Sequence, residues 1–317
     1  MEQKALRIGA AVLALALLLR LGGTRENLTE QVGKGLIFLS SGRMVSETIP
    51  TVQPVQETET VPAATEAAIP VFGQSQESLV QVSGDWSGDT LALLQAPLHW
   101  DLQSEVPTVL ILHTHATESY ENTENYAETS PYRTLDENYN MLSIGDAVAE
   151  RLEAGGVHVI HDRTLHDYPA YNDAYQNARQ TIRSRLEENP SICLVLDLHR
   201  DAAEEANGRQ KRETVELNGT PSARLMLVMG SDQGSLSHAQ WQKNLSLAVK
   251  LQAQLEGSYP GLCRPIQLRA SRYNQDLSTG ALLVEVGTAG NTKEEALRAA
   301  EYLAQGILAL ARGANLQ

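Results

Sequence analysis

The sequence predicts an α/β fold, a mainly parallel sheet flanked by helices on both faces, with a membrane anchor and a flexible linker ahead of it. Three observations lead there. After about Pro97, short apolar runs alternate with segments of helical periodicity, the order that builds a parallel sheet covered by helices. Each run has the length and continuity of a strand buried on both faces. The residues before about Glu77 differ in composition and show no such alternation.

A chain of 317 residues holds one domain of ordinary size plus accessory segments. Its formal net charge of −14 gives it no general attraction for nucleic acid or anionic lipid. Only two cysteines occur, Cys193 and Cys263, which excludes a disulfide scaffold and a Cys-rich zinc finger. Cys193 lies in the apolar run Ile192–Leu196 and reads as a buried thiol. A single bridge between the two stays open.

Residues 1–23 read as a cytoplasmic N-terminus and membrane anchor. Lys4 and Arg7 precede the apolar run Ile8–Leu19, and Arg20 follows it. The run is shorter than the roughly 20 residues of a full span, and snorkelling basic side chains would extend it. Positive charge ahead of the run places the remainder on the extracytoplasmic side. Residues 24–95 read as linker. From about 46 to 77, Pro50, Pro54, Pro62 and Pro70 are interleaved with Glu, Thr, Gln and Ala, a composition that favours an extended, disordered tether. Residues 96–317 form the globular part.

Within it, Val106–Leu112, Val157–Ile160, Ile192–Leu198, Leu225–Met229 and Ala281–Val286 are the strand candidates. Met141, Ile144, Val148 and Leu152 recur at helical spacing, and Gly155–Gly156 stops that helix. A second helix runs from about Asn172 to Glu188, ahead of Asn189–Pro190. A third covers about His238–Leu255, with His238 at the surface. A fourth follows Asn291, a cap candidate, with Leu297, Ala300, Ala304 and Leu308 on one face.

Three of these strands end in polar residues. One leads into His113-Thr114-His115-Ala116-Thr117-Glu118, one ends Asp197-Leu198-His199-Arg200-Asp201, and one carries Glu285 between Val284 and Val286. Active sites of parallel sheets sit at the carboxyl ends of strands. Histidines and carboxylates gathered there are the raw material of a zinc site with three protein ligands and one open position. A carboxylate inside an apolar run, such as Glu285, calls for a metal, a cation or a raised pKa. His161-Asp162 and His166-Asp167 would orient ligands by outer hydrogen bonds, or form a polar loop with His158.

Val109–Tyr120, His161–Asp167, Asp197–Asp201, Tyr273-Asn274-Gln275-Asp276, and Leu283–Asn291 followed by Glu294-Glu295-Ala296 together resemble the stage II sporulation protein P family, in order and spacing, across about residues 96–317. That family is similar, more distantly, to the zinc-dependent N-acetylmuramoyl-L-alanine amidases. The resemblance implies Zn2+ held by His115, Glu118 and His199, with Glu285 as the catalytic acid–base. Asp136 or Glu137 is the alternative to Glu118, and His113 the alternative to His115. It further implies hydrolysis of the muramoyl–alanine amide of peptidoglycan, endopeptidase action on cross-links, and a role in septal thinning and engulfment. Arg200, Tyr273 and Asn274 would contact substrate. Sporulation proteins D and M are the implied partners, at the mother-cell/forespore septum. Two other classes stay open: an inactive peptidoglycan-binding or scaffolding module, and a metal-dependent wall esterase or deacetylase.

Overall fold

The computed structural model describes residues 72–84, 86–98, 100–121 and 132–314. All fall within a compact unit spanning Glu66–Gln317. The anchor expected at 1–23 and the linker up to residue 71 lie outside the described residues. Among the described residues no helix is long and apolar enough to cross a membrane.

In chain order the elements are α1 (Gln74–Glu77), β1 (Val82–Ser83), α2 (Thr90–Gln95), β2 (Val109–Leu112), α3 (Met141–Ala154), β3 (Val159–His161), α4 (Ala174–Glu188), β4 (Leu194–Asp201), β5 (Thr214–Leu217), β6 (Thr220–Ala223), β7 (Leu225–Gly230), α5 (Trp241–Ser258), β8 (Ile266–Arg269), β9 (Ala281–Thr288) and α6 (Lys293–Ala314). Seven strands form one sheet in the order β1-β8-β7-β9-β4-β2-β3. Its pairings are parallel except for β7 against β9. β5 and β6 make a separate antiparallel hairpin.

The continuous apolar runs form strands because both faces are covered. In β2, Val109 and Ile111 join the large core built with α3, α5 and α6. Leu110 and Leu112 join a smaller core with Ala178 and Ile182 of α4. The mainly parallel sheet with helices on both faces is therefore present as read from the sequence.

Four readings need correction. The fold takes in residues ahead of 96: β1 pairs with β8 through Val82–Ile266 and Ser83–Gln267, and Leu94 of α2 is buried in the main core. A two-residue strand and a six-residue helix are too short to show a period, so they passed as linker. His238 is buried, not at the surface, with its Nε2 3.4 Å from Asn244 Nδ2. The start of α6 is capped by Thr292 rather than Asn291. Glu295 N donates to Thr292 Oγ1 at 3.3 Å and Thr292 N donates to Glu295 Oε2 at 3.1 Å, a reciprocal capping box. Cys193 and Cys263 are both free, and Cys193 is only half-buried.

Candidate functional site

β9, β4 and β2 are neighbours, and both pairings are parallel. Their carboxyl ends therefore lie side by side. Leu112 is level with Asp197, and His199 is level with Glu285. Aligned positions on adjacent strands point to one face, so Asp197, His199 and Glu285 share the face covered by α4. The segment leaving β2 turns over this edge with His115 and Glu118 both buried. The His115 and His199 rings stand 5.3 Å apart, edge to face. Glu118 Oε2 lies 3.7 Å from His199 Nδ1 and accepts from Arg200 N at 3.2 Å. The four residues singled out from the sequence, His115, Glu118, His199 and Glu285, are thus brought to one edge.

Burial sets the electrostatics. It pushes the Glu285 carboxyl up to about 8; His199 opposes this, and Glu118 and Asp201 add to it. His115 is lowered by burial. His199 is raised: burial works against its charge, but the carboxylates of Asp197, Glu118 and Glu285 prevail. Asp197 Oδ1 lies 3.0 Å from His199 Nε2 and accepts from Thr114 N at 2.8 Å. Asp197 thereby links the end of β2 to His199.

The alternatives to Glu118 turn outward. Asp136 and Glu137 are exposed; Asp136 closes a turn onto Asn138 N, and Glu137 pairs with Arg163 at 2.8 Å. His113 points to the opposite face of the sheet. Its Nδ1 donates to Leu198 O at 3.0 Å, and its Nε2 meets His161 Nε2 at 2.9 Å. A methyl group on Gly145 of α3 would overlap both of those Nε2 atoms, so glycine is what lets the pair form. Of the two His-Asp pairs, only His166-Asp167 lies on the site. Asp167 Oδ2 is 4.0 Å from His115 Nδ1, while Asp162 pairs with Arg185.

Arg200 braces the backbone instead of reaching outward. It is buried, and its guanidinium donates to Ser119 O at 3.0 Å and Tyr132 O at 2.7 Å. Tyr273 and Asn274 both take left-handed backbone angles, φ 49 and φ 57. Asn274 is spent on Tyr175 O at 2.8 Å, and Tyr273 packs against Met226, Val228 and Leu283. Residues to which the sequence analysis gave no role of their own complete the surroundings. Asp197 carried a usable signal, since it too is a carboxylate in an apolar run. Tyr171 stacks on His115 with centroids 4.6 Å apart, and Tyr175 meets the same ring edge-on at 5.6 Å. Nothing in their local pattern distinguishes them from other tyrosines.

The donor chemistry fits a cation. His115 Nδ1 and Glu285 Oε2 are buried without a well-formed hydrogen bond, while His199 turns Nε2 to Asp197 and Nδ1 toward Glu118. Orphaned buried polar atoms are rare and each calls for a partner. Two imidazoles and a carboxylate are a donor set that zinc accepts. Among the described residues, however, no group of three His, Cys, Asp or Glu side chains is gathered about one point as a metal would require.

Fold and cluster together define an α/β protein with a buried histidine–carboxylate site at the carboxyl edge of a parallel sheet. The chain belongs to the stage II sporulation protein P family, whose profile, "Stage II sporulation protein P (SpoIIP)", matches residues 42–308. It is 30% identical over 209 residues to Stage II sporulation protein P of Bacillus subtilis (strain 168), covering 62% of this chain and 49% of that protein. The chain thus spans about half the length of the curated relative it matches. Among solved structures it is similar to an N-acetylmuramyl-L-alanine amidase from Mycobacterium smegmatis, at 15% identity, 68% of this chain, 100% of that chain and TM-score 0.37. An amidase from Clostridioides difficile, in complex with a lipoprotein, gives 15% identity, 66% and 100% coverage, and TM-score 0.39.

Proposed function

We propose that the chain is a zinc-dependent peptidoglycan hydrolase that cuts the N-acetylmuramoyl-L-alanine amide, and peptide cross-links as well, during sporulation. The observation that carries this is the meeting of His115, Glu118, His199 and Glu285 at one buried edge, in a member of this family. His115, Glu118 and His199 would hold the metal. When bound, zinc polarises the scissile carbonyl and lowers the pKa of a water. Glu285 Oε2 takes the proton of the attacking water and returns it to the leaving amine. Burial raises this carboxyl from the ordinary carboxylate range, the direction that helps it hold the proton it takes before passing it on. Asp197 orients His199 through Nε2. The wider reading places an N-terminal anchor in the mother-cell membrane at the septum, the hydrolase on the extracytoplasmic side, and sporulation proteins D and M as partners.

A binding module without catalysis is the second reading. The absence, among the described residues, of a ready three-donor group favours it. One experiment separates the two: zinc content and wall digestion by the full-length chain beside His199→Ala and Glu285→Ala. The hydrolase releases stem peptides, His199→Ala loses both metal and activity, and Glu285→Ala keeps zinc but loses hydrolysis. A wild type with neither zinc nor release of stem peptides establishes the binding module. Release of acetate in place of stem peptides would point to a deacetylase.

A further inference from the structure

Beside the candidate centre lies an open groove of about 320 Å³, lined by Thr117, Arg133, Leu135, Asp167, Tyr168 and Tyr171 among others. Its volume is at the lower end of the range for small-molecule sites. Five large hydrophobic side chains are exposed among the described residues, and three of them, Leu135, Tyr168 and Tyr171, are here. Single exposed apolar side chains need no explanation, but a cluster at one groove does.

The groove shares a wall with the centre. Tyr171 stacks on His115 at 4.6 Å and carries the Arg133 guanidinium 4.4 Å from its ring centroid. Tyr171 is therefore a partition, and the flat surface left open is that of Tyr168 and Leu135. The polar side is internally balanced. Arg133 pairs with Asp167 at 2.8 Å and Glu118 at 3.5 Å, and Arg200 stands 3.7 Å from Glu118. Among the described residues that line the groove, Arg133 and Asp167 carry the formal charges and offset one another. Stem peptides are acidic and gain nothing from such a surface on a chain of net charge −14. An acetylated amino sugar is uncharged, has an apolar C–H face for an aromatic ring, and has hydroxyl and amide groups for the polar side.

We propose that this groove holds an uncharged amino-sugar ring of the glycan strand, stacked on Tyr168 and Leu135, next to the bond to be cut. The proposal rests on the hydrolase reading. Tyr168 is the residue to test because it is exposed and lines the groove. The probes are a tetramer of N-acetylglucosamine and a free stem tripeptide, titrated calorimetrically into the full-length chain, with folding checked by circular dichroism. Tyr168→Ala and Leu135→Ser should each weaken tetramer binding about tenfold, the scale of one good aromatic contact. Tyr168→Phe should restore it, and tripeptide binding should not move. On intact wall, Tyr168→Ala should raise KM and leave kcat unchanged. Unchanged tetramer binding in both variants, or a loss confined to the tripeptide, overturns the proposal. The two readings fail separately. A wild type that binds the tetramer but cuts no wall defeats the hydrolase and spares the groove. A wild type that digests wall with the same KM as both variants defeats the groove and spares the hydrolase.

Discussion

Glu118 and Glu137 are both glutamates downstream of His115, and folding gives them opposite surroundings. Glu118 is buried against His199 and held by the Arg200 amide. Glu137 is exposed and paired with Arg163. Metal content after gel filtration should therefore fall in Glu118→Ala, by more than about 100-fold in affinity, and stay at the wild-type value in Glu137→Ala. The reverse would move the carboxylate ligand to the approach to α3. Asp197→Asn should weaken metal binding about 10–100-fold, the usual scale for an outer partner. Glu285 was legible in the sequence because a carboxylate within an apolar run has no inexpensive resting place. Asp197 obeyed the same rule and could have been read the same way. Tyr171 and Tyr175 were not legible, because their contact with His115 is made only when the chain folds back from β3 into α4.

At the scale of elements, strand positions were legible wherever both faces are buried, since β2 and β7 are unbroken apolar runs and β4 and β9 open on apolar ones. β1 and α2 were not, because their stability comes from β8 and α5 and not from their own pattern. The capping box of α6 belongs to this scale. Burial alone would raise the Glu295 pKa, but donors from Arg212, Asn291 and Thr292 hold it below its usual 4.5. A depressed carboxylate contributes stability that is complete above the unfolded value and is lost as pH falls through the folded one. The melting temperature of Glu295→Gln should thus trail the wild type at pH 7, with the gap narrowing as pH falls below about 4.5. Thr292→Ala should cost about 1 kcal/mol, roughly 2–4 °C in melting temperature for a domain of this size. A gap in Glu295→Gln that does not change with pH would show that the side chain acts through shape and not charge.

For the whole molecule, the main core is assembled without the candidate centre. It runs from Leu94 through β2, β4 and β9 to α3, α5 and α6. A small zinc domain unfolds when its metal is removed because the metal supplies the folding energy. Here chelation should abolish hydrolysis while leaving far-ultraviolet circular dichroism and cooperative unfolding intact, and added zinc should restore activity. Loss of cooperative unfolding on chelation would make the metal structural.

The alignment of His199 with Glu285 has a consequence for how the sheet finds its pairing. A strand with one wet face is kept in step by the wrong side chains a slip would drown. The first halves of β4 and β9 are apolar on both faces, so there a slip of one position would bury nearly the same oil. What such a slip cannot hide is a charge. Asp197, His199 and Glu285 act as notches on two otherwise smooth rulers, and the groups that would do the chemistry also tell the strands where to stop.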